Sequence, residues 1–392
     1  MHQKTLSLYV HIPFCVKKCA YCDFLSMPAD KSVRDKYVQM LLKEIENEAV
    51  FYHDYVVETV FFGGGTPTIL EAKQLVEILE SLRTHFSFVQ DKEPGRVAEI
   101  TTECNPGTVD AEDLQLLHQG GFNRLSIGLQ SADNEELRRL GRIHTWETFV
   151  ECFHHARAAG FRNVNIDLMS ALPGQSLASY RRTLEKVLEL EPEHISAYSL
   201  IIEEGTPFYE LYGNKTVHAQ WDLPDEEVER GMYDLTDTLL SKHNYCRYEI
   251  SNYAKPGMEC GHNQVYWKRG NYLGLGLGAS SMVENVRFHR TEFLKQYLDA
   301  LKKDDFSVLC MEKEVLDKTA QMEEFMFLGL RRMKGVSEKK FCRQFGITMQ
   351  DIYGSVLEKL QKQGLIKREK DRVMLTKRGI DVSNIVFSEF LL

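Results

Sequence analysis

Three cysteines near the N-terminus have the spacing of a metal-ligating loop. Cys15, Cys19 and Cys22 follow the pattern C-x3-C-x2-C directly after a strand-like run. Three thiolates can hold three irons of a [4Fe–4S] cluster and leave the fourth iron open to a further ligand. Structural zinc is the alternative, although zinc ordinarily takes four closed ligands, and His11 is the nearest further candidate. The spacing therefore favours an iron–sulfur cluster with an open coordination position.

Further polar residues fall where strand-like runs end. Glu103, Gln130 and Asp167 stand at or next to the ends of three such runs, and a glycine-rich turn at 63–66 follows another. Glycines in such a turn let backbone N–H groups approach a ligand closely. Each of these residues taken alone is also compatible with a satisfied interior polar group. Because catalytic groups of barrels gather at the carboxyl ends of the strands, we expect the set to form one polar site.

The elements that must position these residues alternate between strand and helix patterns. Amphipathic stretches follow most of the strand-like runs, and such alternation argues for βα units and a parallel sheet. The six runs are Leu6–Ile12, Val57–Phe62, Val97–Glu103, Asn123–Leu129, Arg162–Leu168 and His194–Leu200. The sequence therefore predicts an α/β fold with a partial (β/α)6 TIM-like barrel.

Several of these runs alternate apolar and polar residues, although parallel strands buried on both faces are usually continuously apolar. In the fifth run, Val164 and Ile166 share one face, whereas Asn165 and Asp167 share the other. The apolar face is expected against the helices, and the polar face is expected to line an interior with room for a polar ligand. An open sheet with one wet face is the alternative.

The composition is that of a globular protein and excludes several classes of function. The 392 residues are 43% hydrophobic and 27% charged, and their net charge is −9. A net acidic chain is not a bulk nucleic-acid binder. No window approaches the ~18 continuous apolar residues that suggest a membrane span. Nine cysteines without a secretory signal predict a reducing, cytoplasmic location.

The chain divides into three predicted regions. Residues 1–205 hold the six βα units, and residues 206–316 form an extension with an aromatic, glycine-rich segment at 245–282. Residues 317–392 read as three helices and a short strand pair, which is typical of a winged-helix-like α+β module. The module holds 15 Lys and Arg against 10 Asp and Glu. Since these cations are spread over several elements, we expect it to dock on the barrel mouth rather than to bind nucleic acid.

The cysteine loop resembles the radical S-adenosylmethionine (SAM) superfamily. The segment His-Ile-Pro-Phe-Cys at 11–15 is similar to the HemN/HemW branch, which contains oxygen-independent coproporphyrinogen III oxidases and heme chaperones. The similarity covers essentially the whole chain. It implies a [4Fe–4S] cluster on Cys15, Cys19 and Cys22, with the amino and carboxylate groups of SAM on the open iron. Reductive cleavage of SAM would then yield a 5′-deoxyadenosyl radical.

The same resemblance implies that the other polar residues contact SAM. Carboxylates suit ribose hydroxyls, and an arginine suits the methionine carboxylate. The implied SAM-binding residues are Tyr9, Tyr21, Gly64, Gly65, Thr66, Glu103, Gln130, Arg142 and Asp167. The resemblance assigns no residue of this chain a catalytic role.

Three features bear on the choice between oxidase and chaperone. The oxidases carry a further cysteine where this chain has Phe24, and they have a long extension before the first strand, which here begins near residue 6. The segment His-Asn-Gln-Val-Tyr-Trp at 262–267 matches the His-Asn-Gln-x-Tyr-Trp signature of the chaperones. These features favour a heme chaperone. Radical decarboxylation of coproporphyrinogen III propionates is the alternative, and a nucleic-acid-modifying radical SAM enzyme is a remote third.

The signature segment makes His262 the candidate axial ligand of heme iron. An imidazole can ligate heme, and aromatic neighbours can flank a porphyrin face. Cys260 is a second or competing candidate, and a packed, hydrogen-bonded histidine is the alternative interpretation. The expected partners are a heme-acceptor protein and an electron donor. Neither a membrane span nor nucleic acid is expected among the interactions of the chain.

Overall fold

The computed structural model describes residues 3–93, 95–213 and 219–392, so the stretch 214–218 of the predicted extension lies outside the described residues. The strands are β1 Lys4–Ile12, β2 Tyr55–Gly64, β3 Ser87–Phe88, β4 Glu99–Cys104, β5 Arg124–Gln130, β6 Val164–Ser170, β7 His194–Ser199, β8 Cys246–Arg247, β9 Asn252–Ala254, β10 Tyr272–Leu275, β11 Ser280–Val283, β12 Val286–Arg290, β13 Cys310–Val315, β14 Val336–Ser337, β15 Ile366–Glu369 and β16 Arg372–Leu375. The α-helices are α1 Lys31–Ala49, α2 Ala72–His85, α3 Val89–Lys92, α4 Ala111–Gln119, α5 Asn134–Arg139, α6 Trp146–Ala159, α7 Leu177–Glu189, α8 Glu226–Lys242, α9 Gly261–Trp267, α10 Leu294–Lys302, α11 Lys318–Leu330, α12 Glu338–Phe345, α13 Met349–Lys362, α14 Lys377–Asp381 and α15 Ser383–Ser388.

One large sheet runs through the molecule in the order β13-β12-β11-β10-β1-β2-β4-β5-β6-β7-β9-β8. The seven strands from β10 to β7 are parallel, and antiparallel strands extend both ends. Within the described part of the chain the end strands β13 and β8 do not pair, so the sheet stays open. All six predicted runs form strands, which confirms the α/β fold with a partial barrel.

Helix α6 shows how local sequence builds one βα unit. Thr145 accepts the backbone N–H of Thr148 at 3.3 Å and caps the first turn. Phe149 and Phe153 are buried in the main core against the sheet. Gly160 ends the helix at φ 110°, a left-handed conformation that a side chain would strain. The chain then continues into β6, which lies between β5 and β7 in the sheet.

Strand β10 lies in the aromatic, glycine-rich segment, where the sequence predicts no strand. It pairs in parallel with β1, so that Ser7 lies opposite Tyr272 and Val10 opposite Leu275. Gly274 is required here, since a Cβ at this position would lie 2.4 Å from the carbonyl oxygen of Ser280. Strand β1 is therefore an interior strand of the sheet, although it is the first strand of the chain.

The buried apolar residues form one main core, a separate core in the C-terminal module and a small cluster of Leu140, Met169, Leu172 and Phe208. The main core has members from Leu6 to Leu309 and thus includes residues of the predicted extension. The second core lies among α11, α12, α13 and the three strands β14 to β16, in the helix and strand order predicted for the module. The division into three regions stays a prediction. No helix in the described ranges has the length and apolar character needed to cross a membrane.

Candidate cofactor site

The loop that carries the cysteine triplet is fixed at both of its ends. The backbone N–H of Cys15 donates to Met27 at 3.1 Å, and that of Met27 donates to Pro13 at 2.9 Å. In the middle of the loop, the N–H of Ala20 donates to the carbonyl of Leu140 at 3.1 Å. The loop is thus held against the carboxyl end of β1 and against the segment that follows α5.

Each thiol of the triplet meets a different environment. The Sγ of Cys15 is 3.4 Å from Thr66 Oγ1, and the Sγ of Cys19 accepts from Arg142 Nη1 at 3.8 Å. Burial raises the pKa of the Cys22 thiol, and the neighbouring Cys19 adds to that shift. A cation beside a thiol favours the thiolate form that metal ligation needs. The three side chains therefore suit a cluster that takes one thiolate on each of three irons.

The zinc alternative finds little support in this loop. In the described ranges, no group of three or more His, Cys, Asp or Glu side chains converges as the ligands of one metal ion would. His11 is engaged elsewhere, because its Nε2 is 2.9 Å from the carbonyl oxygen of Leu25 and its Nδ1 is 3.1 Å from the hydroxyl of Tyr9. A closed site with His11 as the fourth ligand would need one of these contacts to open.

A cavity of about 450 Å³ opens beside the triplet at the carboxyl ends of the barrel strands. Cys15 and Cys22 line one side of it. It also brings together eight of the nine residues predicted to contact SAM, which are Tyr21, Gly64, Gly65, Thr66, Glu103, Gln130, Arg142 and Asp167. Tyr9 instead lines a smaller, deeper cavity of about 180 Å³. The size and polarity of the larger cavity fit a nucleoside with an amino-acid arm.

The glycine turn at 63–66 brings backbone to the edge of this cavity. A Cβ at Gly65 would lie 2.5 Å from the carbonyl oxygen of Phe14, and Gly64 has φ 113°. The N–H of Thr66 donates to that same carbonyl at 2.7 Å. Only glycine allows this approach of the turn to the cysteine loop, so the turn and the triplet form one continuous wall.

Two carboxyl groups share the floor of the cavity. Burial and the neighbouring Asp167 raise the pKa of Glu103 to about 8. Burial also raises the pKa of Asp167, which accepts from Asn165 Nδ2 at 2.8 Å and from Ser126 Oγ at 3.3 Å. Glu103 accepts the N–H of Gly64 at 3.3 Å. Such a pair can both accept hydrogen bonds from ribose hydroxyls and, at Glu103, donate one.

Arg142 reaches the cavity from the segment after α5. Its Nη2 donates to Asn105 Oδ1 at 2.7 Å and to the carbonyl of Gly128 at 2.8 Å. Its Nε is buried and has no hydrogen-bond partner among the described residues. Asn105, which sequence reasoning missed although it follows Glu103 closely, also donates to Thr66 at 2.7 Å. The guanidinium is thus held on the cavity wall by contacts with three other segments of the chain.

Gln130 ends β5 in a left-handed conformation, with φ 72°. The pairing of β5 with β6 shifts register between Gly128 and Gln130, as at a β-bulge. Bulges re-aim side chains next to functional sites, and a non-glycine residue at positive φ stores a small strain energy. The bulge and the positive φ occur at the residue whose side chain lines the cavity wall, Gln130.

Below the larger cavity the barrel interior is polar and closed by α9. The carboxylate of Glu99 in β4 accepts the N–H groups of Gly261 at 2.9 Å and His262 at 3.0 Å, which seats the helix. Arg124 is 2% exposed and lines the smaller cavity. Its Nε has no hydrogen-bond partner in the described part of the chain.

His262 lies in this interior and is 1% exposed. Its Nδ1 is 2.8 Å from Thr59 Oγ1, and its Nε2 is 2.8 Å from the hydroxyl of Tyr266. Burial and the nearby Arg124 lower the pKa of His262 to about 3, so the ring is neutral. Because both nitrogens are engaged, this conformation does not fit axial ligation of heme. Heme ligation by His262 stays a prediction, and it requires one of these contacts to open.

Cys260, the competing candidate, is also buried. Its Sγ lies 3.6 Å from Glu99 Oε1, and burial raises the pKa of the thiol to about 12. A thiol in this state is a poor ligand for iron, since the thiolate is the ligating form.

Comparison with known proteins agrees with this geometry. Residues 9–187 match the radical SAM superfamily, and residues 316–382 match the HemN C-terminal domain. The chain is 36% identical to heme chaperone HemW of Bacillus subtilis, over 98% of this chain and 99% of that protein. It is 34% identical to heme chaperone HemW of Escherichia coli, over 98% of each chain. The solved structure of coproporphyrinogen III oxidase HemN from Escherichia coli, described as a radical SAM enzyme, superposes with a TM-score of 0.85 at 26% identity, over 99% of this chain and 90% of that one. This chain belongs to the HemW family within the radical SAM superfamily.

Proposed function

We propose that this protein is a cytoplasmic heme chaperone of the radical SAM class, which binds heme and passes it to an acceptor protein. The observation that carries the proposal is the full-length similarity to proteins named heme chaperone HemW, at 36% identity over 98% of this chain. The similarity includes the C-terminal module as well as the barrel. The identities of the acceptor and of the electron donor do not follow from it.

In this proposal the larger cavity holds the cofactors. Cys15, Cys19 and Cys22 ligate a [4Fe–4S] cluster, which supplies an open iron position, and SAM occupies the cavity beside it. The turn at 63–66 holds the methionine end, and Arg142 pairs with the methionine carboxylate. Glu103 and Asp167 bind the ribose hydroxyls.

The rim of that cavity offers a surface to a porphyrin face. Phe24, Tyr198 and Ile201 line the mouth and are 64%, 40% and 67% exposed. Aromatic and aliphatic side chains on one rim suit a flat apolar ring. His262, by contrast, lies below the cofactor cavity with both nitrogens engaged. We therefore expect the heme ring to contact the rim.

The alternative function is oxygen-independent coproporphyrinogen III oxidation. It is favoured by the superposition on the Escherichia coli oxidase, with a TM-score of 0.85. Phe24 argues against it, since the oxidases carry a cysteine at that position. An oxidase would turn over coproporphyrinogen III when SAM and a reductant are supplied, whereas a chaperone would hold heme without chemical change.

The test is a heme titration beside an anaerobic turnover assay. We expect wild-type protein to give a saturable Soret band and no protoporphyrinogen. Phe24→Ser should weaken heme binding, because it removes apolar surface from the rim. Phe51→Ser is the matched control, since Phe51 is 68% exposed but does not line the cavity. The His262→Gln variant reports separately on axial ligation through a shift of the Soret band.

Two outcomes would contradict the proposal. One is sustained formation of protoporphyrinogen from coproporphyrinogen III, which would promote the oxidase. The other is heme binding that is weak and equally affected by Phe24→Ser and Phe51→Ser, which would indicate adsorption without a site.

A further inference from the structure

A cleft of about 440 Å³ beside the C-terminal end of α9 concentrates positive charge. It lies between that end of the helix and the C-terminal module, and we call it the basic cleft. Among the described residues, six of its lining cations form no ion pair with a carboxylate: Lys268, Arg332, Lys339, Lys340, Arg343 and Arg372. Arg269, also in the lining, pairs with Glu324 at 2.7 Å. The cofactor site uses none of these cations.

One carboxylate, that of Asp371, lines the basic cleft, and its oxygens accept hydrogen bonds within the fold. Asp371 accepts the hydroxyl of Ser337 at 2.6 Å and the backbone N–H of Lys339 at 2.8 Å. These contacts fix the start of α12. The single negative charge of Asp371 acts on Lys339 and Arg372 and leaves most of the positive charge of the cleft unbalanced.

The crowding has a measurable electrostatic consequence. Burial lowers the pKa of Arg332, and the neighbouring Arg372 lowers it further. Burial also lowers the pKa of Lys340, with further contributions from Arg332 and Arg372. Burial and Arg332 also lower the pKa of Lys268, although the carboxylate of Glu58 opposes that shift. Like charges gathered in a cleft destabilise the fold unless an anion is bound among them.

A second, independent feature of the basic cleft also calls for an acceptor. The indole Nε1 of Trp267 is buried and has no hydrogen-bond partner in the described part of the chain. Trp267 belongs to the lining, and Arg331 stacks on its ring at 4.3 Å. Buried donors are nearly always paired in folded proteins. An unpaired N–H beside unpaired cations is the complement of an oxygen-rich anion.

We propose that the basic cleft binds a phosphate-rich polyanion, at a site separate from the cofactor cavity. Arginine and lysine both bind phosphate oxygens. Six unpaired cations exceed what the two carboxylates of a heme would neutralise, so phosphate groups are the better match. The phosphates can come from a small molecule with several phosphoryl groups or from the backbone of a single RNA strand. The sequence argued against nucleic-acid binding by the module, because its cations are spread over several elements. These cations come together with Lys268 only in the fold.

The experiment uses the full chain and two probes. Inorganic tripolyphosphate is titrated by calorimetry, and a fluorescein-labelled single-stranded RNA is titrated by anisotropy, both over a range of salt. The cleft variant is Arg332→Gln with Arg372→Gln. The control variant is Lys318→Gln with Lys362→Gln, which removes two exposed cations of the same module outside the cleft.

We expect both probes to bind the wild-type chain and the cleft variant to lose affinity about tenfold or more at low salt, while the control variant stays within about twofold. The log–log salt slope for RNA should become shallower by about two in the cleft variant, because two phosphate-binding cations are gone. The cleft variant should unfold at the same or a higher temperature, since repulsion is relieved. RNA binding much tighter than tripolyphosphate identifies a strand, and comparable affinities identify a small phosphorylated ligand.

Three results would overturn the proposal. The first is that neither probe binds at low ionic strength. The second is an equal loss of affinity in the cleft and control variants, which would mean that the chain attracts anions without a site. The third is a cleft variant that loses heme while it keeps tripolyphosphate, which would assign the cations to porphyrin carboxylates.

Discussion

Glu103 is a carboxyl group that the cavity keeps protonated at neutral pH. Burial and Asp167 raise its pKa from 4.5 to about 8. Between these values the folded chain holds a proton that the unfolded chain releases, so stability falls as the pH rises through this window. We expect Glu103→Gln to flatten the fall in unfolding temperature between about pH 5 and pH 8. Thermal unfolding of the two proteins without cofactors measures it.

The expected difference has a clear sign. Near pH 9 the variant should unfold at the higher temperature, because it no longer buries a carboxylate beside Asp167. Parallel curves for the two proteins would contradict the raised pKa. Glu112→Gln, at an exposed position on α4, provides the reference for a carboxyl change outside the cavity.

Individual site residues differed in how far the sequence could place them. Glu103 and Asp167 were predictable as neighbours in space, because strand parity and the carboxyl end of each strand fix their position. Tyr9 shares that parity but precedes the end of β1 by three residues, so it lines the deeper cavity instead. Asn105 and Arg124 depend on contacts with distant segments. No local pattern reports such contacts.

Helix α9 is only seven residues long, and a side chain of strand β4 caps its N-terminus. Glu99 of β4 accepts two of its first N–H groups, those of Gly261 and His262. We expect Glu99→Ala to lower the free energy of unfolding by about 1–3 kcal/mol, because charge-assisted hydrogen bonds are lost and buried donors are left unpaired. Urea denaturation followed by tryptophan fluorescence measures this change. Glu135→Ala, on an exposed ion pair with Arg138, should change it by less than about 0.5 kcal/mol.

A loss of unfolding free energy equal to that of the control would mean that α9 is held by packing alone.

At the scale of elements, the sequence predicted helices and strands according to their length and regularity. Several of the six barrel strands carry period-two alternation, and α6 carries a cap at each end. Strand β10 has four residues with a glycine inside, so it has no periodicity to detect. Its existence follows from the free edge of β1, which is a property of the assembled sheet.

Across the whole molecule, Glu324 joins the C-terminal module to the barrel. It is buried in α11 and pairs with Arg269, just after α9, and with Arg287 of β12. The side chains of Arg269 and Glu324 are 4% and 6% exposed. Removal of one partner from a buried ion pair ordinarily costs about 3–5 kcal/mol, since the other charge stays buried. We expect Glu324→Gln to destabilise the protein by this order and to separate unfolding of the module from that of the barrel.

Scanning calorimetry should then show two unfolding transitions that lie further apart in temperature than those of the wild-type protein. Glu358→Gln, an exposed residue on α13, is the matched control within the module. A single unshifted transition for Glu324→Gln would show that the module and the barrel are coupled by other contacts. The two separate apolar cores make such uncoupling physically reasonable.

The position of β1 inside the sheet has a consequence for biosynthesis. Residues 4–12 are made well before residues 272–275 of β10, which cover one of the two edges of β1. Until the ribosome has passed residue 275, the unpaired edge of β1 is exposed in the nascent barrel. That strand carries apolar side chains, such as Leu8 and Val10, that are fully buried in the complete fold. Bare edges pair readily with other chains, and long-range pairing slows folding. A nascent chain that stops at the end of the six barrel units is therefore an aggregation-prone intermediate, and the aromatic, glycine-rich segment that follows completes the sheet.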